Sequence, residues 1–162
     1  SVTCIKAPAC FSGRMTPSVT TPSRGIAMYS NLIVPVAFDA EHNPDTALNV
    51  ARTLAAAGAR VTIVHVMADV PGYAISYMPE GYDAELRQTL QNQLDALAAE
   101  FENGAGVLRQ GHAANEILDL VDEIGADCIV IAGHRPGLSD YLIGSTAARV
   151  VRHAPCSVMV LR

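Results

Sequence analysis

Lysine is almost missing from this sequence: Lys6 is the single one in 162 residues. A phosphate loop of the GxxxxGK type is therefore excluded. No GxGxxG follows the first predicted strand, which removes the dinucleotide-binding fingerprint. There is no CxxC, and no Cys/His cluster has metal-ligand spacing, so no protein-held metal is expected. No apolar run is long enough to span a bilayer, so no membrane association is expected. Positive charge is also scarce, and the net charge of -5 argues against a nucleic-acid surface. Cys4, Cys10, Cys128 and Cys156 are the four cysteines. The last two lie in or beside apolar runs and read as small core residues rather than a disulfide framework. What is abundant is hydrophobic side chain, at 50%, in a length that suits one domain.

Residues 1–27 differ from the remainder. They are rich in Ser, Thr and Pro and hold no acidic residue; Lys6, Arg14 and Arg24 give them +3, which leaves -8 for residues 28–162. Such a composition fits a disordered extension. It also fits an organellar transit peptide, although a sustained helical stripe of apolar residues is absent. The division expected is a disordered extension over 1–27 and a folded domain over 28–162.

From there strands and helices alternate. Asn31–Val36 is a mostly apolar first strand; Pro35, which cannot donate to a ladder, fits only where pairing stops. Asn43 and Pro44 read as the N-cap and first position of a helix reaching Ala57, with Gly58 as its stop. Ala59–Met67 is the second strand, containing His65. Ala68–Tyr82 is a loop with three of the five tyrosines, suited to covering a ligand or to a local packing cluster. Asp83–Phe101 carries Leu86, Leu90, Leu94, Leu97 and Phe101 on one helical face. A short strand, Val107–Gln110, follows the turn-like Gly104-Ala105-Gly106, and Ala114–Ile124 is the third helix.

The most informative stretch follows. Cys128 to Ala132 is five apolar residues, a strand buried on both faces. Gly133 ends it, and Pro136-Gly137 prevents its continuation. Gly144-Ser145-Thr146 then opens a helical segment to His153, with Ser or Thr expected to cap it. A strand, a glycine turn and a glycine-led helix start together form a site for an anion such as phosphate. The plain alternative is a turn and an ordinary cap. Ser157–Leu161 is the last strand.

Three segments of this region, Ile131-Ala-Gly-His-Arg-Pro136, Tyr141-Leu-Ile-Gly-Ser-Thr146 and the run from Val150 through Cys156 to Leu161, resemble the bacterial universal stress protein family, and most closely its F and G branch. The resemblance extends from Met28 to Arg162. It implies an α/β fold: an open five-stranded parallel sheet in the order 3-2-1-4-5 with helices on both faces, Rossmann-like and similar to the adenine nucleotide alpha hydrolases. It further implies that the glycine loop wraps the phosphates and ribose of ATP, with Mg2+ held through the phosphates, in a cytoplasmic homodimer paired through its last strand. The site residues carried over are Pro35, Val36, Ala37, Asp39, Val66, Gly111, Ala132, Gly133, His134, Arg135, Gly137, Gly144, Ser145 and Thr146. Val66 matches an adenine-wall valine, and Arg135 supplies a bidentate phosphate contact. The match is imperfect. Ala37 stands where the family has a nucleotide-contacting aspartate, with Asp39 the nearest carboxylate. Pro136 replaces the second glycine of the family's loop, which is also two residues shorter here, as in the F and G branch.

The expected function is a nucleotide-binding regulatory module of the stress response, with little or no hydrolysis. Two alternatives stay open: a slow ATPase or nucleotidyl-type enzyme on the same fold, and a dimeric scaffold with an empty site. No catalytic residue is assigned, because no carboxylate, Lys and His constellation stands out; His134 and Asp140 are the only candidates in the loop.

Overall fold

The computed structural model describes residues 2–6, 29–38, 44–69, 81–132 and 144–161, the first of these as backbone alone. In chain order the elements are β1 (Val2–Lys6), β2 (Tyr29–Pro35), α1 (Asp45–Leu54), β3 (Ala55–Met67), α2 (Tyr82–Ala98), β4 (Asn103–Gln110), α3 (Ala113–Ile124), β5 (Cys128–Ala132), α4 (Ser145–His153) and β6 (Ser157–Leu161). They build one sheet in the order β1-β6-β5-β2-β3-β4. Strands β2 to β6 run parallel, and β1 lies antiparallel on β6. Counting only the five parallel strands in chain order gives 3-2-1-4-5, as the resemblance implies.

The period-2 alternation of strand side chains divides the core in two. Leu32, Val34, Val61, Ile63, Cys128 and Val130 pack under Leu48 of α1 and Leu94 of α2. Ile33, Val64, Ile129, Ile131, Val158 and Val160 pack under Ile117 of α3 and Val150 of α4. The central strands are thus apolar on both sides because each side carries two helices. The chain moves outward from β2 to β4 with its helices on one face, then returns past β2 to β5 and β6 with its helices on the other. That reversal creates a switch point between β2 and β5.

Beyond shifts of two or three residues, such as the end of α2 at Ala98 rather than Phe101, three differences from expectation have a physical reason. Helix α1 ends at Leu54, and Ala55 pairs with Tyr29 in extended backbone; Gly58, at φ 73°, serves the irregular stretch before Arg60 rejoins the ladder. Strand β4 begins at Asn103, so Gly104 and Gly106 lie inside it. The reason is proximity of α2: a Cβ on Gly104 would lie 1.9 Å from the Ala98 carbonyl oxygen, and one on Gly106 would lie 2.9 Å from Leu94. Glycine here admits a helix against a strand rather than making a turn.

The third difference concerns residues 1–27. Disorder is not what the structure gives for Val2–Lys6, which pairs with β6 from Val2↔Leu161 to Lys6↔Val158. The Ser/Pro-rich composition of the whole segment conceals a five-residue run with three β-branched members, Val2, Thr3 and Ile5, next to an apolar edge with unpaired backbone groups. Residues 7–27 lie outside the described residues, as do Asp39 and most of the tyrosine-bearing loop.

Candidate functional site

Asn31 and Asp127 anchor the start of β2 and so fix where its other end emerges. The Asp127 carboxylate accepts the Ser30 N–H at 2.7 Å and the Asn31 N–H at 3.0 Å. The Asp127 N–H donates to the Asn31 carbonyl at 2.9 Å, and the Asn31 amide donates to the Ile124 carbonyl at 2.6 Å. Strands β2 and β5 are thereby held in register at their N-terminal ends.

Above that anchor the two strands soon part. Their ladder holds only Leu32↔Cys128 and Ile33↔Ile129, whereas β5 pairs with β6 along all five residues from Cys128 to Ala132. The cause can be read in the backbone. The Val36 N–H donates to Val64 of β3 at 2.9 Å. Successive N–H groups of a strand point to opposite sides, so position 35 would donate toward β5, and Pro35 has no N–H to give. The ladder ends where a donor is missing, and the crevice opens between the C-terminal ends of β2 and β5.

Most of the described candidate residues gather at this end of the sheet. Pro35 closes β2, with Val36 buried and Ala37 half-buried just beyond. Val66 is half-buried near the end of β3 and packs on the α3/α4 side. Gly111 follows β4, its φ of 139° open only to glycine and its N–H bonded to the Met67 carbonyl at 2.9 Å. Ala132 is the exposed last residue of β5. Gly144 is the N-cap of α4, which runs back to the opposite end and hands the chain to β6. Asp39, Gly133, His134, Arg135 and Gly137 lie outside the described residues.

The start of α4 also corrects an expectation. Neither Ser145 nor Thr146 caps the helix: Gly144 holds the cap position at φ -55°, ψ 152°, with no side-chain cap bond. The first N–H in the helix's own ladder is that of Ala148, bonded to the Gly144 carbonyl at 2.8 Å. The N–H groups of Ser145, Thr146 and Ala147 precede that ladder at the positive end of the helix dipole, while Arg152 and His153 stand at its negative end.

Two residues beside the crevice were not singled out in this role from the sequence. The His65 ring nitrogen Nδ1 lies 2.9 Å from the Val36 carbonyl, and its ring centroid is 5.0 Å from that of Phe38. A carbonyl oxygen can only accept, so Nδ1 is the donor, and the bond pins the chain leaving β2 against β3. His65 satisfied by a backbone partner is the ordinary behaviour of a core histidine; the partner itself, being 29 residues away, has no local signal. Cys128 and Cys156 are buried, as read. Among the described residues no cluster of His, Cys, Asp and Glu is arranged to hold a metal, and no helix is long and apolar enough to cross a membrane.

The family model of the universal stress proteins matches residues 28–162. The chain belongs to that family. Universal stress protein G of Escherichia coli O157:H7 is 28% identical over 142 residues, covering 83% of this chain and all of that protein, in keeping with the F and G resemblance. Among solved structures, the hypothetical protein MJ0577 superposes with a TM-score of 0.69 at 19% identity, over 83% of this chain and 96% of its own. A universal stress protein in complex with cAMP superposes with a TM-score of 0.56 at 19% identity, over 83% and 97%. These two show the shared fold of this universal stress protein.

Proposed function

We propose that this universal stress protein binds ATP in the crevice between β2 and β5, as a regulatory module with little or no hydrolysis. The observation that carries the reading is the early end of the β2–β5 ladder at Pro35, at the same end of the sheet as the glycine-capped start of α4. Ligands of open α/β sheets sit beyond the carboxyl ends of the strands at the switch point, and a helix start favours phosphate. Val36, Ala37 and Val66 would line the adenine and ribose side, with Gly111 on the sugar-phosphate side. Ala132, Gly133, His134, Arg135, Gly137, Gly144, Ser145 and Thr146 would serve the phosphates, with Mg2+ held through the phosphates rather than by protein ligands. Ala37 offers no carboxylate to the ribose, and Asp39 is the nearest that could. The cAMP complex of a structural neighbour supports an adenine nucleotide as ligand class.

The family resemblance adds a cytoplasmic location and a homodimer paired through Ser157–Leu161. In this chain β1 lies on that edge, so a second copy can pair there only when β1 leaves it.

The test is to identify the nucleotide released from purified protein by ultraviolet absorbance and chromatography, and to titrate emptied protein with ATP and adenosine by calorimetry. ATP recovered or bound, and bound more tightly than adenosine, is expected. Protein that neither carries nor binds nucleotide would overturn the reading in favour of a scaffold. Turnover of about 1 s⁻¹ or faster, as in kinases, would assign an enzyme.

A further inference from the structure

The two edges of the sheet differ in what they expose. Strand β4 carries Gly104, Gly106, Arg109 and Gln110, a composition that resists pairing with another chain. Strand β6 is Ser-Val-Met-Val-Leu without a charge, and with β5 on one side its other row of N–H and C=O groups requires a partner. That row is taken by β1 in four pairs, Val2↔Leu161, Thr3↔Val160, Cys4↔Met159 and Lys6↔Val158, with the extra residue Ile5 forming a bulge.

Direction matters here. A two-fold dimer that joins β6 to its own copy must pair the two strands antiparallel, because the same patch meets itself. Strand β1 is the only antiparallel strand among those described, so it lies on β6 in the orientation a copy of β6 would adopt. An edge strand has one free row, and the two occupants exclude each other. The chain connection permits the intramolecular choice. Lys6 sits beside Val158, near the end of the sheet where Tyr29 begins β2. Three strand spacings, about 14 Å, separate β1 from β2, and the intervening residues 7–28 can reach several times that distance. A tethered strand also pairs independently of protein concentration, unlike a second copy.

We propose that Val2–Lys6 stands in for a second copy at the β6 edge and holds the chain as a monomer until β1 is displaced. This rests on the reading of β6 as the dimer strand. The test uses the full chain and the double variant Thr3→Pro/Cys4→Pro. Adjacent residues point their N–H groups to opposite sides, so one of the two prolines must remove a β1 donor. Sedimentation velocity and amide hydrogen exchange are read on both. The expected result is a concentration-independent monomer of 17.1 kDa with slow exchange in β6, and a doubling of mass in the variant. A wild-type dimer that the prolines leave unchanged would overturn the proposal. A variant that stays monomeric would also overturn it, and exchange then locates the failure. Fast β6 exchange already in the wild type means that β1 does not dock. Slow exchange that becomes fast in the variant means that β6 does not pair with a copy, and the dimer reading fails. Nucleotide binding is measured separately and is not affected by either result.

Discussion

The two ends of the parallel sheet are made by the same strands and are finished in opposite ways. At the N-terminal end the polar groups are closed on one another: Asp127 accepts two backbone N–H groups of β2, and Asn31 returns a side-chain bond to the Ile124 carbonyl. At the C-terminal end Pro35 withholds a donor, the β2–β5 ladder stops at Ile33↔Ile129, and α4 starts on Gly144 without a side-chain cap. An anchored end fixes the strands, and the other end is then free to spend its backbone polarity on a ligand. The comparison teaches that the proposed site lies where internal hydrogen bonding is left incomplete, opposite the place where it is most complete.

The comparison breaks most readily at the anchored end. Asp127→Ala removes the acceptor of two backbone donors and should lower unfolding free energy by about 2–4 kcal/mol, less than twice the about 1.5–3 kcal/mol of a bond to a charged acceptor, because the Ser30 bond is exposed to solvent. Urea denaturation measures this. ATP affinity at a temperature where the variant stays folded should be unchanged; a parallel loss would mean that the two ends are not independent. At the open end the balance reverses. Gly144→Val keeps a backbone conformation open to any residue, so stability should fall only by the preference of an N-cap for glycine over valine, about 1 kcal/mol. ATP affinity should fall about tenfold or more, equivalent to about 1.4 kcal/mol, as read by calorimetry.

Smaller effects sharpen the contrast. His65→Ala deletes the bond to the Val36 carbonyl and the ring against Phe38, and should cost about 1 kcal/mol in thermal or urea unfolding. If the Val36–Phe38 segment lines the nucleotide, adenosine should weaken alongside ATP. Ser145→Ala should leave stability within about 0.5 kcal/mol, because Gly144 and not Ser145 holds the cap position. Its ATP affinity should fall only a few-fold, the loss of one hydroxyl contact. A stability loss above about 1 kcal/mol would show that the hydroxyl caps the helix after all.

Much of the scaffold was legible because it rests on periodicity. Ser157–Leu161 and the start of β5 at Cys128 needed only an apolar run between breakers, and α3, expected over Ala114–Ile124, begins one residue earlier and ends where expected. Pro35 announced the end of pairing through its chemistry alone. The tyrosine loop and much of the glycine loop fall outside the described residues, so Arg135 and Asp39 remain expectations of the resemblance. Gly104 and Gly106 were read as a turn because a sequence records that a side chain is missing, not whether the empty space is used by a bend or by a neighbouring helix.

The sequence by itself determined the order and kind of the elements from β2 onward, the two-sided burial of β5, and the family, because these depend on side chains read a few positions at a time. Tertiary structure alone decided which neighbour each backbone group faces. It directed the missing Pro35 donor toward β5 rather than β3, brought Asp127 under a strand that starts 98 residues earlier, and laid Val2–Lys6 along β6. Backbone donors and acceptors are the same at every residue but proline, so local sequence carries little record of their partners. Only the packed sheet, by fixing the side to which each N–H points, assigns them.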